Sequence, residues 1–204
     1  MNIVILHGLY MNASVMKPLS ERLAAMGHTT HLINYSTTHI KPEALFKEID
    51  DALAESGNAL VGHSLGGLMI QRYLKDRQLS VEQVSHVVTL GSPMQGARIV
   101  KGIEKIGMGS ILGNSVDFGL EPKDNVWDLP QSLGCIAGKI QVGFLPLFYG
   151  FKDASDGTVT IDETRIEGMK DHVATSNTHL SLLYSDEVIG HIEHFLHHDH
   201  FATP

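Results

Sequence analysis

Cysteine is almost missing from this chain. The 204 residues hold one, Cys135, which excludes an internal disulfide and suits a reducing compartment. Positive charge is also scarce: 15 Lys and Arg stand against 23 Asp and Glu, for a net charge of −8. Without a concentrated basic face, nucleic acid is not an expected partner. No apolar run approaches the ~20 residues of a membrane-spanning helix, so no stable membrane anchor is expected. The opening "MNIVILHG" lacks the basic start and long apolar core of a signal peptide, and the cytoplasm is the expected location. Two glycosylation-type triplets, at Asn12 and Asn34, carry no weight without secretion. Repeats, low-complexity tracts and linkers are missing too, so residues 1–204 are expected to form one domain. A chain of this length can bury roughly 70% of its unfolded surface. With 43% hydrophobic and 19% charged residues, the composition is that of an ordinary globular protein.

What is present is strand–helix alternation. "NIVIL" (2–6), "ALVG" (59–62) and "HVVTLG" (86–91) are nearly continuous apolar runs, the pattern of parallel strands buried on both faces. "TTHLINYS" (29–36), "GCIAGKIQ" (134–141) and "DHVATSN" (171–177) read as further strands. In "KPEALFKEIDDALAESG" the apolar Leu45, Ile49, Ala52 and Leu53 share one helical face, with Pro42 in the first turn and Gly57 ending the run. Residues 14–26, 65–76 and 180–196 also read as helices. The fold class expected is α/β: a mostly parallel central sheet, helices on both faces and a minimal cap. Segment 97–133 is the least regular. It carries Ile99, Ile103 and Ile106 at helical spacing, and a mobile lid and a surface helix packed on the sheet are both open readings.

Between the third strand and the helix after it lies "LVGHSLGGLMI" (60–70). A Gly-x-Ser-x-Gly match is cheap, arising by chance in roughly one chain of this composition in seven. Its setting is not cheap. A strand, this motif and a helix together make a nucleophile elbow, in which Ser64 occupies a strained turn and the glycines let backbones approach. The competing reading is a glycine-rich helix start without chemistry. The helix that begins at Leu65 points its amide end at a developing oxyanion. A serine needs a base, and the base an orienting carboxylate. Downstream, "SDGTVT" offers Asp156 in a turn expected after a sixth strand region, and "SNTHLSLL" offers His179 between the last strand and last helix.

"LHGLY" (6–10), "VGHSLGG" (61–67), "LGSPMQGA" (90–97), "SDGTVT" (155–160) and "THLSLL" (178–183) run in order along nearly the whole chain. In them the sequence resembles the α/β-hydrolase superfamily, more closely its bacterial class 2 lipase-like and esterase-like members. The resemblance implies Ser64 as nucleophile, Asp156 as acid and His179 as base. It also implies an oxyanion hole shaped by the "HG" after the first strand, with the amides of Leu9 and Leu65 as donors and Tyr10 as the lesser candidate. It implies a serine hydrolase of carboxylic esters that works through an acyl-enzyme on a small-molecule or lipid ester, without cofactor or metal. Acyl transfer or thioester hydrolysis on the same triad, and a non-catalytic ligand sensor on this fold, are the alternatives. Tyr10, Leu147 and Phe148 are the candidate substrate-binding residues, the last two from the apolar "GFLPLFYGF" (143–151).

Rival groups are weaker. Asp153 and Asp162 do not precede the Gly-Thr-Val turn, and Asp171 and His172 belong at the far end of the last strand. His63 reads as a packing or hydrogen-bonding residue, and His7 as a support for the oxyanion loop. Thirteen histidines invite a metal, and His191, His194 and His198 share one helical face. That face is expected in solvent, no HExxH spacing exists, and no metal site is expected. "GMGSILG" (107–113) has neither the preceding strand nor the spacing of a dinucleotide loop. Oligomeric state is not legible.

Overall fold

The computed structural model describes residues 1–105, 107, 109–120, 125–143 and 153–202. Six strands form one sheet: β1 (Asn2–Leu6), β2 (Thr29–Ile33), β3 (Asn58–His63), β4 (Val84–Leu90), β5 (Ser132–Gly138) and β6 (Asp171–Thr175), in the order β2-β1-β3-β4-β5-β6. All five pairings are parallel. Every strand recognised in the sequence is present; the inner strands read as apolar runs because they are covered on both faces, whereas the edge strands β2 and β6 are half-buried and partly polar. Among the described residues the α-helices are α1 (Lys17–Ala25), α2 (Pro42–Ala52), α3 (Leu65–Arg77), α4 (Arg98–Lys105) and α5 (Asp186–His198).

The two-residue period of the strands divides the core in two. Val4, Leu6, Leu60, Val87 and Cys135 face α2 and α3, packing against Leu45, Phe46, Ile49, Leu68 and Tyr73. Ile3, Ile5, Val61, Val88 and Ile136 face the other way, against Leu19 and Leu23 of α1 and Val188, Ile192 and Phe195 of α5. The sheet is therefore sandwiched, and no helix among the described residues is long and apolar enough to cross a membrane.

Element ends depart from the sequence reading where side chains compete for backbone groups. The helix expected from residue 14 starts as a 3-10 turn (Ala13–Met16), with the Asn12 side chain accepting from the Ser14 amide at 3.0 Å; the α-helix proper has Pro18 in its first turn. Helix α2 ends at Ala52 and not near Gly57. There the Asn58 side chain accepts from the Ala54 amide at 2.8 Å and donates to the Ala54 carbonyl at 2.9 Å. The helix expected over 180–196 is split into a 3-10 turn at Ser181–Leu183 and α5, recapped by Ser185. Asp156 follows β5 and not a sixth strand: Ser155 and Thr160 form only an isolated bridge that closes a tight turn.

Asn58 is fully buried. Besides both groups of Ala54, it accepts from the Asn2 side chain at 2.7 Å and donates to the Gln83 carbonyl at 2.7 Å. One amide thus joins the starts of β1, β3 and β4. Asn58→Ala removes the partner of the Ala54 amide and carbonyl, the Gln83 carbonyl and the Asn2 side chain, and should lower stability by about 2–4 kcal/mol, read as a shifted urea midpoint with an unchanged slope.

Candidate active site

Ser64 ends β3 and immediately precedes α3, with φ 53° and ψ −121°. A non-glycine residue in this region is strained, at a cost of roughly 1–3 kcal/mol. The surroundings enforce it. The Ser64 amide donates to the Leu90 carbonyl at 2.9 Å, and the Ser64 carbonyl accepts from the Gly67 amide at 3.1 Å. A Cβ on Gly66 would lie 2.5 Å from the Leu6 carbonyl oxygen, and one on Gly62 would lie 2.5 Å from the Gly67 nitrogen. A Cβ on Gly67 would meet Ser92. The three glycines let α3 rest directly on β1 and β4, which leaves Ser64 no other turn to make.

Asp156 and His179 meet at the carboxyl end of the sheet. His179 Nδ1 lies 2.6 Å from Asp156 Oδ2, with the carboxylate side chain 1% exposed. The other oxygen, Oδ1, accepts from the amides of Thr158 at 2.9 Å and Val159 at 2.8 Å, and the His179 amide donates to the Asp156 carbonyl at 2.9 Å. With Nδ1 donating, Nε2 is the basic nitrogen of the neutral ring. Ser64 and His179 both line a cavity of about 550 Å³. Its walls are apolar: Leu9, Ile99, Val100, Ile103, Leu112 and Val159 contribute. Tyr10 lines it too, whereas Leu147 and Phe148 lie outside the described residues.

The first loop is tightly held. His7 Nδ1 donates to the Gly8 carbonyl at 3.0 Å, Nε2 accepts from the Tyr35 amide at 3.4 Å, and the two rings stack at 4.5 Å. Burial pulls the His7 pKa below its ordinary value. Tyr10 adopts φ 57°, and its amide donates to Thr37 Oγ1 at 3.1 Å. That amide is therefore engaged within the protein. Leu65 is the first residue of α3, so helix geometry gives its amide no partner within the helix.

Several residues that matter here escape sequence reading. Gly91 has φ 56°, and a Cβ on it would sit 2.9 Å from Asp156 Oδ2 and 3.0 Å from His179 Nδ1. Gly138 is required because a Cβ there would lie 2.7 Å from the Asp156 Cβ. "LGS" after the fourth strand was the available signal for Gly91; for Gly138, Thr37 and Tyr35 the sequence gives none.

The rivals are engaged elsewhere. Asp153 pairs with Arg98 at 2.6 Å, the Asp171 carboxylate accepts from the Phe201 amide at 2.7 Å, and His172 Nε2 lies 2.8 Å from Thr164 Oγ1. His191 is buried, not solvent-facing as its helical face suggested: Phe201 folds back over it, ring to ring at 5.7 Å. Among the described residues, no group of three or more His, Cys, Asp or Glu could hold a metal ion.

Residues 7–118, more than half of the chain, match the model of a family described as the PGAP1-like alpha/beta domain. The chain belongs to that family. No curated protein matches it. Among solved structures, this PGAP1-like domain is similar to the mature lipase BlEst2 of Bacillus licheniformis, with a TM-score of 0.71 and 19% identity over 95% of this chain and 91% of that one. A lipase-esterase related protein of Clostridium acetobutylicum gives 0.60 and 14% over 95% and 93%. The metagenomic carboxyl esterase MGS0156 gives 0.63 and 17% over 88% and 65%. At these identities the likeness shows the fold, which is that of the α/β-hydrolases.

His63 tests how the PGAP1-like domain tolerates acid. It is fully buried, its Nε2 donates to the His179 carbonyl at 3.0 Å, and its ring lies 4.6 Å from that of His179. Burial first, then the neighbouring His179 and His7, push its pKa from 6.5 down to about 3, against a smaller raising effect of the hydrogen bond. Burial likewise pushes His172 to about 4. Both are neutral when folded but take a proton below pH 6.5 when unfolded. The unfolded chain then binds more protons, so their stabilisation is complete above pH 6.5 and falls as pH drops from 6.5 toward 4. Urea midpoints should fall steadily between pH 7 and pH 5, with His63 alone contributing about 2 kcal/mol of the loss; a flat profile would contradict the neutral assignment.

Proposed function

We propose that this chain is a carboxylic-ester hydrolase of the serine type. The observation that carries the reading is the Asp156–His179 contact of 2.6 Å opening, with the left-handed Ser64, onto one apolar cavity. His179 takes the Ser64 proton as Oγ attacks the acyl carbonyl. Asp156, already held by two backbone amides, keeps Nδ1 protonated so that Nε2 faces the reaction, and it stabilises the imidazolium that forms. The Leu9 and Leu65 amides receive the charge on the oxyanion. His179 then returns the proton to the leaving alcohol, and water releases the acyl group from Ser64 by the same steps in reverse order. No step calls for a metal or cofactor.

The apolar walls fit an acyl chain better than a charged group, since an unpaired charge there would be left desolvated. The lipases and esterases among the structural neighbours agree with this chemistry. Cys135 is buried, and burial pushes its thiol up to about 12, so it takes no part in this chemistry. Acyl transfer uses the same parts, and only the acceptor differs.

The experiment is labelling with a fluorophosphonate, read by mass spectrometry, beside hydrolysis of p-nitrophenyl esters. Wild type should carry the label on Ser64 and turn over. Ser64→Ala should fold normally with neither, and Asp156→Asn should lose on the order of 10³–10⁴ in kcat. Labelling without hydrolysis would favour acyl transfer; unlabelled, folded wild type would end the serine-hydrolase reading.

A further inference from the structure

Glu163 has no part in the chemistry just described, yet it is a carboxylate with only 6% exposure. It lies in the β5–β6 connection, in a 3-10 turn seven positions after Asp156. Its Oε2 accepts from the Thr160 amide at 2.7 Å and the Thr160 hydroxyl at 2.8 Å. Its Oε1 accepts from the Arg98 amide at 2.5 Å. Arg98 is the first residue of α4, so a carboxylate from 65 positions along the chain caps this helix. An anion at that end meets both the unsatisfied amide and the helix dipole. The Glu163 carbonyl also accepts from the Gln95 amide at 3.1 Å.

Helix α4 supplies Ile99, Val100 and Ile103 to the cavity. Its chain is tied at the base, where the Ala97 amide donates to the Leu120 carbonyl at 2.8 Å. Across the cavity the Tyr10 hydroxyl donates to the Ile111 carbonyl at 2.7 Å, and Asn114 exchanges both side-chain hydrogen bonds with Ile40 at 2.8 and 2.9 Å. The wall made by 109–118 is thus pinned to the β1 and β2 loops, and that made by α4 is pinned through Glu163 to the turn that carries Asp156.

We infer that Glu163 is a specificity-determining positioning residue: by capping α4 it fixes the apolar wall against which the distal part of the acyl chain packs. This rests on the ester-hydrolase reading and deepens it. A long acyl group has more apolar surface to bury against this wall than a short one and gains more of its binding there. Loss of the cap therefore penalises long substrates more than short ones.

The test compares kcat/KM for p-nitrophenyl decanoate and acetate, with fluorophosphonate labelling of Ser64 as the measure of an intact triad. In Glu163→Gln the amide presents one acceptor oxygen to three donors. The decanoate-to-acetate ratio should fall ~10-fold, with acetate turnover and labelling within about twofold of wild type. Arg98→Pro removes only the capped N–H among backbone groups, at a position where helices accept proline, and should reproduce the effect. Arg98→Ala loses the same side chain but keeps the N–H, and should retain the wild-type ratio. An unchanged ratio in both Glu163→Gln and Arg98→Pro overturns the proposal, as does an equal loss on both esters. If Glu163→Gln does not fold, the contrast of Arg98→Pro with Arg98→Ala decides. Wild type that neither labels nor turns over defeats the ester-hydrolase reading itself, and the proposal with it.

Discussion

Everything at the carboxyl edge of this sheet depends on one backbone conformation, the left-handed Ser64 between β3 and α3. Such a residue relaxes unless its neighbours hold it. Here they do so on every side: the Leu90 carbonyl of β4 takes its amide, and Gly66 stands against the Leu6 carbonyl of β1. The strand order β1-β3-β4 is what brings those two neighbours to either side of the serine. The cost of one strained residue is spread over strand pairings that are needed anyway. His63, the residue before it, hands the same rigidity to His179 by donating to its carbonyl, and it can sit ring against ring with that imidazole because burial keeps it uncharged.

Much of this was legible in the sequence, for a physical reason. Parallel strands covered on both faces must be apolar throughout, so the strands announce themselves without reference to their partners. The elbow announces itself because only glycine can stand at positions 62 and 66 once α3 lies on the sheet. Gly91 is just as constrained, by the Asp156–His179 pair. Its constraint comes from groups far away in sequence, however, so "LGS" marks the position without showing what crowds it. Glu163 was hidden in the same way: a carboxylate in a polar stretch reads as solvated until the chain has brought Arg98 to it. His191 misled in the opposite direction, because helical periodicity shows which residues share a face but not that residues 199–202 will return to cover it.

The β5–β6 connection holds two buried carboxylates, and their difference is instructive. Asp156 spends one oxygen on two backbone amides and offers the other to an imidazole, so its charge has a partner that can become positive. Glu163 spends both oxygens on N–H and O–H donors that never change charge. The first arrangement is suited to responding to a proton on His179. The second is suited only to holding geometry, since a buried carboxylate that accepts three fixed hydrogen bonds has nothing to gain from moving. One short turn therefore orients the His179 imidazole through Asp156 and anchors a cavity wall through Glu163. A displacement of that turn would disturb both, which ties the placement of the apolar cavity wall to the placement of His179.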